Sequence, residues 1–171
     1  MSLENLLALD ARISARMRVA ESPGLLRSMA AFFAHSGDSW FCIAVLVLVW
    51  WRGTSFWQWR ATTLIIAILV TAVLVLVLKF AIRRRRPEGE WGGIYRATDP
   101  HSFPSGHATR AFMLATMAIG LGPIWFAIAL VIWAPLVAIA RVAMGVHYIS
   151  DVAAGLGIGV LMGIVIQVIL V

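Results

Sequence analysis

Long apolar stretches separated by brief polar punctuation fill the sequence from about residue 25 onward. The purest runs from Ala61 to Leu78, where three threonines are the only polar side chains. A helix needs about 20 predominantly apolar residues to cross roughly 30 Å of hydrocarbon. Five stretches predict five spans: Asp38–Trp51, Trp57–Ile82, Ser105–Leu121, Pro123–Ala143 and Asp151–Val171. The first is also readable as starting earlier, through Leu25–Phe33, with a break at Ser36-Gly37. Ser105–Leu121 is the shortest, at roughly 25 Å of helix, just enough for the hydrocarbon core. Arg52-Gly53-Thr54 and Gly122-Pro123 mark turns, and Pro135 predicts a kink inside its span.

Residues 1–24 read differently. Leu3, Leu6, Leu7, Ile13 and Met17 recur at helical spacing over 3–20, although Asp10 interrupts the stripe. Arg12, Arg16 and Arg18 make the other side polar, and Pro23-Gly24 ends the pattern. This segment is too charged to span. It predicts an amphipathic helix, either lying at the membrane interface or docked on its own protein. The expected fold is all-α: one membrane domain over 1–171, with an interfacial helix in 1–24 and a transmembrane bundle in 25–171. Within the last span Gly155, Gly159 and Gly163 recur every fourth residue, a stripe that lets another helix approach closely. Trp50, Trp51, Trp57, Trp59 and Trp125 fall at span ends sharing one membrane face, as an aromatic belt would.

Composition agrees with lipid as the main solvent. Hydrophobic residues make up 61% of the chain and charged residues 13%, whereas soluble domains are about a quarter charged. The net charge of +6 could suggest nucleic acid, but Arg83, Arg84, Arg85 and Arg86 abut a span. Anionic lipid or a phosphorylated substrate suits that placement better than nucleic acid. The single Cys42 excludes an internal disulfide. Charges in the first twenty residues predict no cleavable signal peptide.

Three polar segments interrupt this apolar background: Lys79-x6-Arg86-Pro87, Pro104-Ser105-Gly106-His107 and Arg141-x5-His147-x3-Asp151. Following the spans back and forth puts all three on one membrane face. Ser105 is a good N-cap, and the first amides of the helix behind it, with the positive dipole end, make an anion site. Gly106 lets an oxyanion approach the backbone. His107 stands where it could give a proton to a leaving oxygen. Alone, this segment would be an ordinary capped helix.

His147 and Asp151 stand four residues apart, so on a helix they would stack one turn above another. A carboxylate accepting from one ring nitrogen raises the basicity of the other, which could attack phosphorus. Taken alone, the pair reads equally as an ion pair closing a turn. Lys79, Arg86 and Arg141 supply the cations, and a guanidinium fork matches two phosphate oxygens at once. An ionisable Lys79 so close to an apolar run is a functional candidate, with snorkelling to the headgroups as its alternative. Arg83, Arg84 and Arg85 read as a cytosol- or lipid-facing basic edge, or as a grip on a second phosphate. His101 lies near the motifs without fixed geometry, and His35 reads as a polar residue at a helix break. No Cys/His cluster has ligand spacing, and too few of the eight acidic residues fall near this face for a two-metal site. No metal or other cofactor is therefore expected.

The three segments resemble the signature of the type 2 phosphatidic acid phosphatase superfamily of membrane lipid phosphatases, over residues 79–151. The resemblance implies His147 as nucleophile, Asp151 as its partner and His107 as general acid. It implies Lys79, Arg86, Ser105, Gly106 and Arg141 as the phosphate-binding set, with no metal required. Ala140 departs from the serine often found before the arginine. The expected activity is hydrolysis of a lipid phosphomonoester or diphosphate through a phosphohistidine, on phosphatidic acid, phosphatidylglycerophosphate or a polyprenyl (di)phosphate. A small transporter or channel is the rival reading, but its charges should recur across the bilayer depth rather than gather on one face.

Orientation draws on two opposed signals. Twelve of the fourteen Lys and Arg fall on the motif face, Arg96 and Arg110 among them, and the positive-inside tendency then places that face in the cytoplasm. The resemblance implies the opposite, since most bacterial members work outside. Arg12, Arg16, Arg18 and Arg27 serve no motif, and they tip the expectation to a cytoplasmic active face of a multi-pass cell-membrane protein.

Overall fold

The computed structural model describes residues 2–20, 22–89, 91 and 99–170. Arg96 and most of the 90–98 loop lie outside these residues. Seven helices are described: α1 (Leu3–Arg16), α2 (Leu25–Ser36), α3 (Ser39–Arg52), α4 (Ser55–Ile82), α5 (Gly106–Leu121), α6 (Ile124–Ala143) and α7 (Ile149–Leu170). The all-α expectation holds.

Span lengths vary. Three helices, α4, α6 and α7, are long and apolar enough to cross a membrane. The pair α2 and α3 counts as a fourth, bent by 59° at its break. That break falls at Gly37-Asp38, where the sequence suggested an interrupted span. The fifth expected span, α5, has 16 residues, about 24 Å of helix, shorter than α4, α6 and α7. It is the hub of the bundle, packed most extensively on α7 and next on α6. Helix α6 continues through Pro135.

Small residues let α5 sit so deeply. A side chain on Gly155 would lie 2.8 Å from the Ser105 carbonyl, and one on Gly163 would lie 2.7 Å from Cβ of Thr116. At Gly159 a Cβ would run into the Thr109 carbonyl. The glycine stripe is therefore the seam along which α7 meets α5. Around it, Leu64, Ile68, Met113, Leu114, Met117 and Ile166 form the main apolar cluster. The outer surface is also apolar, with Val73, Val77, Ile132, Leu161 and Val168 among many exposed large side chains. That inside-out pattern suits a lipid solvent.

Helix α1 meets the protein through Asp10, the residue that interrupts the stripe, and Ser14, while Arg12 and Arg16 stay exposed. Asp10 Oδ1 accepts from the Ser150 amide at 3.2 Å, and Ser14 Oγ accepts from the Ile149 amide at 3.0 Å. The first amides of a helix have no internal partner. Asp10 and Ser14 therefore cap α7 from a distant part of the chain. Leu6, Leu7, Leu9 and Ile13 remain exposed on the outside, where a bilayer surface would receive them.

At the end away from the motifs, Arg52, Trp57, Arg60, Leu121 and Trp125 share one apolar groove. The ends of α3 and α5 and the starts of α4 and α6 therefore meet there. The back-and-forth tracing of the chain is correct.

Candidate active site

The turn after α4 begins at Arg83, whose φ of 52° lets the chain leave the helix while its amide bonds the Lys79 carbonyl at 2.9 Å. The chain then pairs with the segment before α5: Arg85 bridges His101, and the Ser102 amide donates to the Arg84 carbonyl at 2.8 Å. The Ser105 amide donates to the Asp151 carbonyl at 3.0 Å, joining α5 to the first turn of α7. Gly145, at φ 67°, turns the chain out of α6 toward His147. These links bring residues from three separate segments to one end of the bundle.

His147 lies in that turn and not on a helix, so its proximity to Asp151 comes from the turn instead of one helical repeat. The ring is 1% exposed. Its Nε2 sits 3.1 Å from Nη1 of Arg86, a group that can only donate. Nε2 therefore presents a lone pair, and the proton belongs on Nδ1. Burial, then the charges of Arg86, Arg141 and Lys79, push the His147 pKa well below its ordinary value. The ring is neutral, as attack on phosphorus requires.

The expected hydrogen bond from His147 to Asp151 is not made: Nδ1 stands 3.5 Å from Oδ2 and has no hydrogen-bond partner among the described residues. Stronger donors hold the carboxylate. Asp151 Oδ1 accepts from Arg84 Nη1 at 2.6 Å, and Oδ2 accepts from the Tyr148 amide at 2.9 Å. Arg84 is thus no part of an outward basic edge, as the run of arginines had suggested. Its guanidinium also donates to Ser150 at 2.6 Å and Asp10 at 2.7 Å, and lies 4.0 Å from the Tyr148 ring centre. The network ties α1 to Asp151 through one arginine.

Lys79 and Arg86 are buried, at 6% and 3% exposure, and both reach Asp99. Lys79 Nζ donates to the Asp99 carboxylate and to the His101 carbonyl at 3.0 Å. Arg86 donates to Oδ2 of Asp99 at 2.7 Å and to its carbonyl at 2.6 Å. Burial alone would raise the Asp99 pKa, but Lys79 and Arg86 outweigh it and hold the carboxyl below its usual range. Asp99 was not singled out from the sequence, where only its place in Asp99-Pro100-His101 ahead of Pro104 hinted at it. It occupies cations that an incoming phosphate would also seek. The ring of His101 packs on Phe80.

Ser105 stands at the N-cap position of α5 without making the expected side-chain cap bond. Its buried hydroxyl has no hydrogen-bond partner among the described residues, so it is open to a substrate oxygen. Its carbonyl accepts from the Thr109 amide and hydroxyl, each at 2.9 Å. Arg141 is fully buried, and its charge reaches Lys79, Arg86, His107 and His147. His107 Nε2 lies 2.6 Å from Oδ1 of Asp38, a second residue the sequence did not flag. His35, read as a helix-break residue, also meets Asp38, at 3.2 Å.

A cavity of about 280 Å³ opens over these groups. Lys79, Asp99, His101, Gly106, His107, Arg110 and His147 line its polar end, and Ile68, Ala72, Val75 and Leu76 of α4 line the rest. One wall suits an anion and the other a hydrocarbon tail. The arrangement can hold a phosphorylated amphiphile with its phosphorus near His147. Every predicted site residue therefore lies at this end of the bundle.

Known proteins resemble this chain in sequence and in fold. The PAP2 superfamily profile matches residues 60–170. A decaprenylphosphoryl-5-phosphoribose phosphatase of Mycobacterium tuberculosis is 31% identical over 91% of this chain and 86% of its own length. An undecaprenyl-diphosphatase of Sulfolobus acidocaldarius is 32% identical over 76% of this chain and 64% of its own length. The crystal structure of a transmembrane PAP2-type phosphatidylglycerolphosphate phosphatase from Bacillus subtilis superposes with a TM-score of 0.75, at 25% identity. It covers 96% of this chain and 86% of that one.

Proposed function

This chain belongs to the PAP2 superfamily and is a phosphate-ester hydrolase acting on lipid phosphates, and from that premise we propose how it works. The substrate is a lipid phosphomonoester or diphosphate of the phosphatidic acid, phosphatidylglycerophosphate or polyprenyl class. The carrying observation is the neutral, buried His147 beside Arg86, at the polar end of a cavity whose other wall is apolar. The phosphate takes Lys79 and Arg86 from Asp99 and meets Arg141, the Ser105 hydroxyl and the first amides of α5. His147 Nε2 attacks phosphorus as the bond to the lipid oxygen breaks. His107 protonates that oxygen. Water then attacks the phosphohistidine, His107 accepts the water proton, and phosphate leaves.

Protein cations do the electrostatic work here, since Lys79, Arg86 and Arg141 match the charge spread over the equatorial oxygens of a phosphoryl group in flight. Purified protein is therefore expected to release phosphate from at least one of dioleoyl phosphatidic acid, phosphatidylglycerophosphate and farnesyl diphosphate, with EDTA present. No release from any of the three, or loss of release on adding EDTA, would refute this mechanism.

The same reading places the site on the cytoplasmic side. Arg12 and Arg16 of α1, Arg18, and Arg27 of α2 lie at the motif end, while Arg52 and Arg60 lie at the other. In a Cys42→Ala background, cysteine at Glu88 should resist an impermeant thiol reagent in intact cells and react after permeabilisation. Rapid labelling of intact cells would put the site outside.

A further inference from the structure

Asp38 lies at the bend between α2 and α3, remote in sequence from all three motifs. Its Oδ1 is 2.6 Å from Nε2 of His107, and its Oδ2 is 3.2 Å from Nδ1 of His35. We infer that Asp38 is a positioning residue for His107, fixing which ring nitrogen carries the transferable proton and keeping that proton in place. The inference rests on His107 being the general acid.

The chemistry follows from the two atoms in contact. An ionised carboxylate only accepts, so the shared hydrogen belongs to Nε2 of His107. Nδ1 is then the nitrogen left to serve the substrate, and His107 lines the cavity where the substrate phosphate would sit. A general acid must begin its step protonated at that nitrogen. Burial opposes a positive charge on His107, and Arg141 of α6 and Arg110 of α5 oppose it further. Among these neighbours Asp38 is the anion that favours the imidazolium, much as a triad carboxylate stabilises the histidine it orients.

The backbone is arranged to deliver this carboxylate. The Gly37 carbonyl accepts from Arg110, so the bend is pinned to the first turns of α5. A Cβ on Gly37 would stand 3.4 Å from Cδ2 of His107 and 2.9 Å from Cγ1 of Val137. The absence of a side chain there lets the bend close on the ring. A straight α2–α3 span would carry residue 38 along the helix instead of into the site.

The proton balance is complete. His107 Nδ1 gives its proton to the lipid oxygen as the P–O bond breaks and the P–N bond to His147 forms. In the second step water supplies a hydroxyl to phosphorus and a proton to Nδ1, the P–N bond breaks, and the imidazolium beside Asp38 is restored.

The test compares Asp38→Asn with His107→Ala on two esters, a long-chain alkyl phosphate and p-nitrophenyl phosphate. General acid catalysis is worth about a hundredfold or more, and only when the leaving oxygen needs a proton. Asp38→Asn should lower kcat on the alkyl ester by roughly thirtyfold and on p-nitrophenyl phosphate by less than about threefold. Its basic pH limb should move to lower pH, because the imidazolium has lost its stabilising anion, and Asp38→Glu should regain part of the rate. Added to His107→Ala, Asp38→Asn should have little further effect. Equal losses on both esters, or no loss, would assign Asp38 to structure and overturn the proposal. If His107→Ala is selective for the alkyl ester and Asp38→Asn is not, only the role of Asp38 falls. If His107→Ala itself loses both esters equally, the general acid reading falls and takes this inference with it.

Discussion

Replacing His147 with alanine should leave a folded membrane protein that releases phosphate at less than about a hundredth of the native rate, since an obligatory nucleophile has no substitute. The ring is enclosed, with its Nε2 toward Arg86 and its Nδ1 toward Asp151. Arg84 and the Tyr148 amide already hold Asp151, so loss of the ring does not strand the carboxylate. Folding should therefore survive, as judged by a single peak in size exclusion and a thermal transition near that of the native protein. Burst labelling with radioactive phosphate should mark the native enzyme with an acid-labile phosphohistidine and leave the variant blank. A variant that keeps more than about a hundredth of native turnover would remove His147 from the nucleophile's place.

Gly159→Ala should be as damaging to the fold as the loss of His147 is to the chemistry. The added methyl meets the Thr109 carbonyl, with the Met113 amide 3.0 Å away. Both are backbone atoms of α5, so neither can rotate aside. Overpacking of this kind costs about 1–3 kcal/mol, and here it pries apart the two most closely packed helices. Gly157→Ala is the matched control. Nothing lies within 4 Å of its added Cβ, and alanine favours the helix by up to about 1 kcal/mol in the water-based scale. Thermal unfolding in detergent should show a clear drop for Gly159→Ala and little change for Gly157→Ala. Equal transitions would mean that α5 and α7 do not meet along this stripe.

The contrast between these two glycines shows where periodicity succeeds. Spacing of four residues put Gly155, Gly159 and Gly163 on one helix face, and that face is the one α7 presents to α5. The same local logic placed the motif residues at one end, because helix direction alternates along the chain. It could not tell that α5 is the central helix, since apolar composition is the same for a helix surrounded by lipid and one surrounded by protein.

Asp10, Asp38, Asp99 and Arg84 mark the other limit. Each acts through a partner at least 13 residues away: Asp10 and Arg84 at 74, Asp38 and His107 at 69, Asp99 and Arg86 at 13. An isolated carboxylate beside a helix break carries no periodic signal, and one arginine in a run of four looks like its neighbours. The bends and turns that carry the chain back on itself decide which of them faces inward.

By itself the sequence determined the solvent, the helices and the end of the bundle at which the motif residues gather, because each depends on composition and spacing within a few turns of chain. Tertiary structure alone decided what those residues touch. It gave Asp151 to Arg84, Asp38 to His107 and Asp99 to Lys79 and Arg86, and it used Asp10 and Ser14 to cap α7. Hydrogen bonds of buried charges are chosen by geometry to within a few tenths of an ångström, and only the packed bundle supplies that geometry.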